Sequence, residues 1–235
     1  MIGKIYVKKV IKSVSLCILI GVFCFSFCFC FKTDKVASPP KKITVVIDAG
    51  HGGIDGGVSG VLTKVSESEI NLSISKKLAK VFEDSGFTVV QTRRSSGGLY
   101  GFLGAGFKMR DMQAREKIIK DSNPTLVISI HQNNFSDHSR RGAQVFYHMG
   151  REQSKEFAIC MQQVLNKMEE NAKKSSALSG DYYVLKVSPC PAIIIECGFL
   201  SNEQDEKLLL SEEYQQKLSN QIFYGCLQYL TSTKY

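Results

Sequence analysis

The chain has 235 residues, enough for one domain with a substantial core, and its 43% hydrophobic and 22% charged content is ordinary for a globular protein. Its formal net charge of +8 invites a nucleic-acid partner, since basic patches neutralise phosphates. Yet Lys4, Lys8, Lys9 and Lys12 all precede the first apolar run, no acid appears before Asp34, and no RRM, zinc-finger or helix-turn-helix pattern occurs, so no nucleic-acid partner is expected.

Ser13 to Phe31 carries no charged side chain. Behind its lysine-rich flank it reads as a signal peptide or signal anchor over residues 1–31, near the roughly 20 residues a membrane-spanning helix needs. Val36-Ala37-Ser38 offers small residues but no Ala-x-Ala site, and none of Cys17, Cys24, Cys28 or Cys30 follows a lipobox, which leaves cleavage open and membrane contact through this segment expected. Residues 32–42, with Pro39-Pro40, read as a polar linker to a body spanning 43–235. The cysteines of that body, Cys160, Cys190, Cys197 and Cys226, form no CxxC pair and no metal-finger spacing; they read as free thiols, with a Cys190–Cys197 bridge as the alternative.

The body opens with a β-branched run, Ile43 to Ile47, that reads as a buried strand. Ser66-Glu67-Ser68-Glu69 predicts a capping box with Ser66 as N-cap and Glu69 at N3. The helix that follows puts Ile70, Ile74, Leu78 and Val81 on one stripe and stops at Gly86. Phe87 to Gln91 is the next strand, Leu99 to Phe107 a glycine-rich loop expected to be mobile over the site, and Met109 to Lys120 a helix. Strands follow at Leu126 to Ile130 and Ala143 to Tyr147, then a helix from Arg151 to Lys173. Tyr182 to Leu185 reads as a short strand, Ala192 to Ile195 as a longer one, and Glu212 to Leu230 as a helix with Leu218, Ile222 and Cys226 inward. Strands interleaved with helices, without repeats, predict a single α/β domain whose sheet is covered on both faces.

Polar residues collect where three of these strands stop. Asp48-Ala49-Gly50-His51-Gly52-Gly53 follows the first, His131-Gln132-Asn133 the third, and Glu196-Cys197-Gly198-Phe199 the run from Ala192. Ligands of open α/β sheets bind outside the strand carboxyl ends, where such residues can converge. Two histidines and a carboxylate form a recurrent hydrolytic zinc set that leaves one position for water. Glu67 supplies the carboxylate best, because it opens the helix after the His51 loop; Glu69 competes, though its capping position gives it a structural job. Glu196 is then free to act as base, since a charge ending an apolar strand is costly to bury without purpose. His138 and His148 read as solvated or satisfied histidines.

With these residues in view, the chain resembles the zinc-dependent N-acetylmuramoyl-L-alanine amidases of the bacterial cell wall. VVIDAGHGGIDGG, ESEINL, ISIHQNN and IIIECGFLSN occur in that family's order at comparable spacings, from about Ile43 to Leu230. The resemblance implies Zn2+ held by His51, Glu67 and His131, Glu196 as catalytic glutamate, and a supporting role in catalysis for Arg115. It implies a mixed, mostly parallel sheet of about six strands between helices. Peptidoglycan is the implied substrate, cut between N-acetylmuramic acid and L-alanine.

GGLYGFLGAGFKMRD and GAQVFYH, without an added wall-binding repeat, look most like the spore-cortex type, whose members act before muramic-δ-lactam formation. That branch implies action in sporulation and germination, at the outer face of the membrane, in the cell wall or in the forespore intermembrane space. Ala49 stands where the family usually has Pro, and Gln132 and Asn134 where it has smaller residues, which puts substrate fit at the cleft floor in question. An activator protein is left open as a partner. The alternatives are a zinc peptidase cutting within the peptide stem and a non-catalytic peptidoglycan-binding module.

Overall fold

β1 (Thr44–Ala49) is buried from Val45 onward, and its neighbours on both sides run parallel to it: β2 (Thr88–Gln91) and β3 (Leu126–Asn133). β3 pairs in parallel with β6 (Ala192–Phe199), buried along its whole length, and β6 pairs antiparallel with β4 (Gln144–Tyr147), which carries the two-residue β5 (Leu178–Ser179) at the edge. The sheet therefore has six strands in the order β2-β1-β3-β6-β4-β5, mostly parallel with one antiparallel pairing, as expected. Strands buried on both faces explain the near-continuous Val and Ile runs. This computed structural model describes residues 42–168 and 174–233; the expected leader and nearly all of the linker lie outside them.

Alternation along the strands sends side chains to two cores. Val45, Ile47, Leu126, Ile128, Ile193 and Ile195 face one layer, built from α1 (Glu67–Asp84), α3 (Glu152–Leu165) and α6 (Glu212–Ser232). Val46, Val127, Ala192 and Ile194 face the other, where α2 (Phe107–Asp121) contributes Ile119 and α4 (Tyr183–Val187) contributes Val184 and Leu185. Helices thus cover both faces of one sheet.

Several local expectations are corrected. Tyr183–Val187 is a short helix, not a strand; the edge strand lies just before it at Leu178–Ser179. Four apolar or aromatic residues in a row cannot distinguish one helical turn from a strand. The inward stripe of α1 continues through Phe82 rather than Val81, which is half-buried, and Gly86 at φ 85 follows the helix end. Ser66 is the N-cap residue, but its hydroxyl makes no cap bond: it donates to Glu69 Oε1 at 3.2 Å, so the reciprocal capping box does not form. An additional helix, α5 (Glu203–Leu210), is started by Asn202, whose side chain accepts from the amides of Gln204 and Asp205. α3 ends at Leu165, and residues 169–173 of its expected continuation lie outside the described residues. Cys160, Cys190, Cys197 and Cys226 are free thiols; no Cys190–Cys197 bridge forms.

Candidate metal centre

The parallel strands β1, β3 and β6 end on the same edge of the sheet, and that edge carries the polar residues. Beyond Ala49 the chain turns sharply: His51 has φ 59, with Gly52 and Gly53 also at positive φ. A left-handed histidine is uncommon and needs holding in place. Two buried arginines do so. Arg93 donates to the carbonyls of Ala49 and Gly50 at 2.9 Å each, and Arg115 to those of Ala49 at 2.8 Å and His51 at 2.6 Å. Arg93 also reaches Ser68 O at 2.8 Å, tying the start of α1 to the same loop.

Glu67, the first residue of α1, is 2% exposed and lies between two imidazoles. Its Oε2 is 3.2 Å from His51 Nε2, and its Oε1 is 2.9 Å from His131 Nδ1. The remaining capacity of the carboxylate is filled by the amides of Val58 and Gln132 and by Asn71 Nδ2. Burial alone would raise its pKa, but the hydrogen bonds and charges of His131 and His51 hold it well below the usual carboxylate range. One ligand atom from each of His51, Glu67 and His131 lies within 4.8 Å of the others. Two imidazoles converging on an ionised buried carboxylate are the donor set of a hydrolytic zinc site, so these residues fit a zinc ion.

Of the two glutamates weighed for the ligand, only Glu67 stands here; Glu69 is exposed on the outer side of the first turn. His138 is exposed, and His148 lies 4.0 Å from Asp181, so neither joins the cluster.

Glu196 faces His131 across the β3–β6 pairing, just where a register shift interrupts the ladder. It is 9% exposed, and its Oε2 has no hydrogen-bond partner among the described residues. Burial, reinforced by the charge of Glu67, pushes its pKa up to about 7 against the opposing pull of the histidines. A carboxyl titrating near neutrality is suited to both taking and returning a proton.

Arg115, expected to support catalysis, is 1% exposed and pairs with Asp48 and Asp111 while holding the loop carbonyls. Its side chain acts on the backbone that carries His51. Sequence reasoning missed Arg93, and it missed Asp55, whose Oδ2 is 2.9 Å from His51 Nδ1. The signal for Asp55 was its place in the GHGGID turn; for Arg93 no pattern pointed to it.

A cleft of about 270 Å³ opens over His51 and His131, walled by Tyr100, Phe107, Met112 and Tyr182. The glycine-rich segment expected to be mobile forms its rim. There the Tyr100 hydroxyl accepts from Ile54 N at 3.1 Å, and Arg110 donates to the carbonyls of Tyr100, Phe102 and Ala105.

The family model described as N-acetylmuramoyl-L-alanine amidase matches residues 45–228. The germination-specific N-acetylmuramoyl-L-alanine amidase of Bacillus subtilis is 31% identical over 218 residues, covering 91% of each chain. Among solved structures, the CwlD amidase of Clostridioides difficile, in complex with the GerS lipoprotein, is 37% identical with a TM-score of 0.77, covering 81% of this chain and 100% of that one. An N-acetylmuramoyl-L-alanine amidase of Clostridium difficile 630 is 29% identical with a TM-score of 0.71, covering 81% and 98%.

Proposed function

The chain belongs to the N-acetylmuramoyl-L-alanine amidase family, and from that premise we propose that it cuts the muramyl–L-alanine amide of peptidoglycan using zinc held by His51, Glu67 and His131. The observation that carries the proposal is the convergence of those three ligand atoms within 4.8 Å, beside a buried glutamate with an unpartnered oxygen. Bound there, zinc supplies Lewis acidity toward the carbonyl and a water acidified to a pKa of about 7. Glu196 takes the proton of the attacking water and returns it to the departing alanine nitrogen. Asp55 fixes the ring orientation of His51, and Arg115 and Arg93 hold the loop that presents it.

The proposal extends to spore cortex, where removal of the stem precedes muramic-δ-lactam formation. The germination-specific relative and the CwlD structure support this placement. It also gives the protein a lipoprotein partner, by analogy with the complex in which CwlD is seen. No helix among the described residues is long and apolar enough to cross a membrane; export, and any tethering, are assigned to residues 1–31, ahead of a linker at 32–42 and a catalytic domain at 43–235.

The test is digestion of cortex and vegetative peptidoglycan by the full chain in detergent with zinc, with products identified by mass spectrometry. Intact stems with a free L-alanine amine are expected, lost with chelator and in Glu196→Gln. Cuts inside the stem would make the protein a zinc peptidase. Zinc-replete protein that releases nothing, alone or with its lipoprotein, would make it a binding module.

A further inference from the structure

A second groove, of about 550 Å³, is lined in part by β4 and β6, the strands whose pairing carries Glu196. Its walls come from the segment before β4 (Asp137, Ser139, Arg140, Arg141), from Gln144 and Phe199, and from Lys174 to Leu178. The pairing of β4 with β6 sets Gln144 opposite Glu196, so the groove begins on the strand next to that glutamate. Strands lie about 4.8 Å apart and an extended peptide advances about 3.4 Å per residue, so roughly three residues would carry a chain from β6 across β4 to β5.

The two hollows differ in chemistry. The cleft over the histidines is walled by aromatic rings, which suit the apolar faces of sugar rings. The groove is polar and basic. Arg140 is exposed, with its guanidinium lying over the rings of Phe135 at 4.5 Å and Phe199 at 5.4 Å. Stacking of this kind orients a planar fork while leaving its N–H edges open to an acceptor. Lys174, also exposed, adds a second positive charge. The other charges of the groove are engaged. Arg141 Nε lies 3.2 Å from Asp205 Oδ1, and Asp137 accepts from the amide and hydroxyl of Ser139 while its carboxylate also feels the charge of Arg140, which a substrate carboxylate would share.

We propose that this groove is the subsite for the peptide stem, with Arg140 and Lys174 as specificity residues that bind the free carboxylates following L-alanine. This rests on the amidase reading above, and it orients the substrate: glycan over the aromatic cleft, scissile amide at Glu196, stem in the basic groove. Arg–carboxylate pairing is charge-assisted and bidentate, so it rewards a free acid over its amide.

The experiment has a binding arm and a turnover arm, both with the full zinc-loaded chain in detergent. In the binding arm, L-alanyl-D-glutamate and its diamide are titrated by calorimetry against wild type and the Arg140→Gln/Lys174→Gln variant. The acid should bind wild type about tenfold more tightly than the diamide, and the variant should lose that preference. Equal binding of acid and diamide by wild type, no binding of either, or an unchanged preference in the variant overturns the subsite.

In the turnover arm, N-acetylmuramoyl-L-alanyl-D-glutamate and its amidated form are substrates. The variant should raise KM about tenfold for the acid alone, with kcat within twofold of wild type. An equal KM for acid and amide in wild type overturns the subsite while leaving the amidase standing. Acid-selective binding without release of peptide from either substrate, alone or with the lipoprotein partner, sustains the subsite and overturns the amidase reading instead.

Discussion

Gly50 lies flat against the ring of His131: a Cβ on Gly50 would sit 2.2 Å from both Cε1 and Nε2 of that imidazole. The glycine beside His51 thus makes room for the other histidine, bringing the ends of β1 and β3 close enough for both rings to reach Glu67. Gly57 does the same for the carboxylate, since its Cβ would lie 2.3 Å from Glu67 Oε2.

Gly50→Ala should therefore displace His131 and lower zinc content, and also cost about 1–3 kcal/mol of stability through overpacking. Gly86→Ala is the control. That residue, unlike Gly50, has positive φ, 85, and nothing lies within 4 Å of its would-be Cβ. It should cost about 1 kcal/mol by backbone strain and leave zinc content at wild type. Metal analysis beside thermal unfolding separates the two; full zinc in Gly50→Ala would mean that His131 tolerates the shift.

Glu196 should show itself in metal-free protein as well as in turnover. Its pKa is about 7 folded against 4.5 for a free side chain, so the folded state binds the extra proton and stability falls as pH rises from 4.5 through 7. Glu196→Gln removes that penalty. The metal-free variant should match wild type near pH 4.5 and exceed it above pH 7 by on the order of 2 kcal/mol. Denaturant titrations across this range check it, and parallel curves would mean that Glu196 is not held in a desolvated site.

The sheet and its edge were legible because buried parallel strands write themselves as apolar runs ending in glycine and polar residues. The convergence of His51 and His131 followed from where those strands stop, whereas Glu67, which opens α1, was read from its place after the His51 loop and from the family resemblance. Less visible was what holds them. Arg93 comes after β2 and acts through backbone carbonyls of another segment, and no side-chain pattern records such a contact. Asp55 sits in a glycine turn where an aspartate is ordinary. The helical turn at Tyr183 is held by a tertiary contact, its hydroxyl donating to Glu116 on α2, and the Ser66 hydroxyl is rerouted locally, donating to the Glu69 carboxylate three residues on.

Asp55 should act through His51. Burial favours the neutral ring, but the hydrogen bonds and charges of Glu67 and then Asp55 raise the pKa of His51 from 6.5 to about 9 in the metal-free protein. This raised pKa stabilises the metal-free fold fully below pH 6.5, and the contribution is lost as pH rises through about 9. Asp55→Asn should flatten that loss. It should also weaken zinc binding about 10–100-fold, because an outer carboxylate orients a ligating imidazole. Chelator competition measures the affinity; an unchanged value in Asp55→Asn would show that Glu67 alone orients His51.

Arg115 should separate holding the fold from holding the site. Burial by itself would raise the pKa of Asp48, yet the Arg115 charge, with the hydroxyls of Ser129 and Thr92, lowers it to about 2. The resulting stabilisation is present above pH 3.8 and is lost as pH falls through about 2. Arg115→Met leaves Asp48 buried without its counter-ion and should cost about 3–5 kcal/mol near neutrality, with the dependence below pH 4 flattened. Arg115→Lys keeps the charge, but a single ammonium cannot span Asp48, Asp111 and the carbonyls of Ala49 and His51 as the guanidinium does. The lysine variant should therefore lose less stability than Arg115→Met when metal-free yet bind zinc more weakly, because the left-handed backbone at His51 is no longer pinned. Equal losses of stability and zinc affinity in both variants would make Arg115 a core ion-pair partner and nothing more.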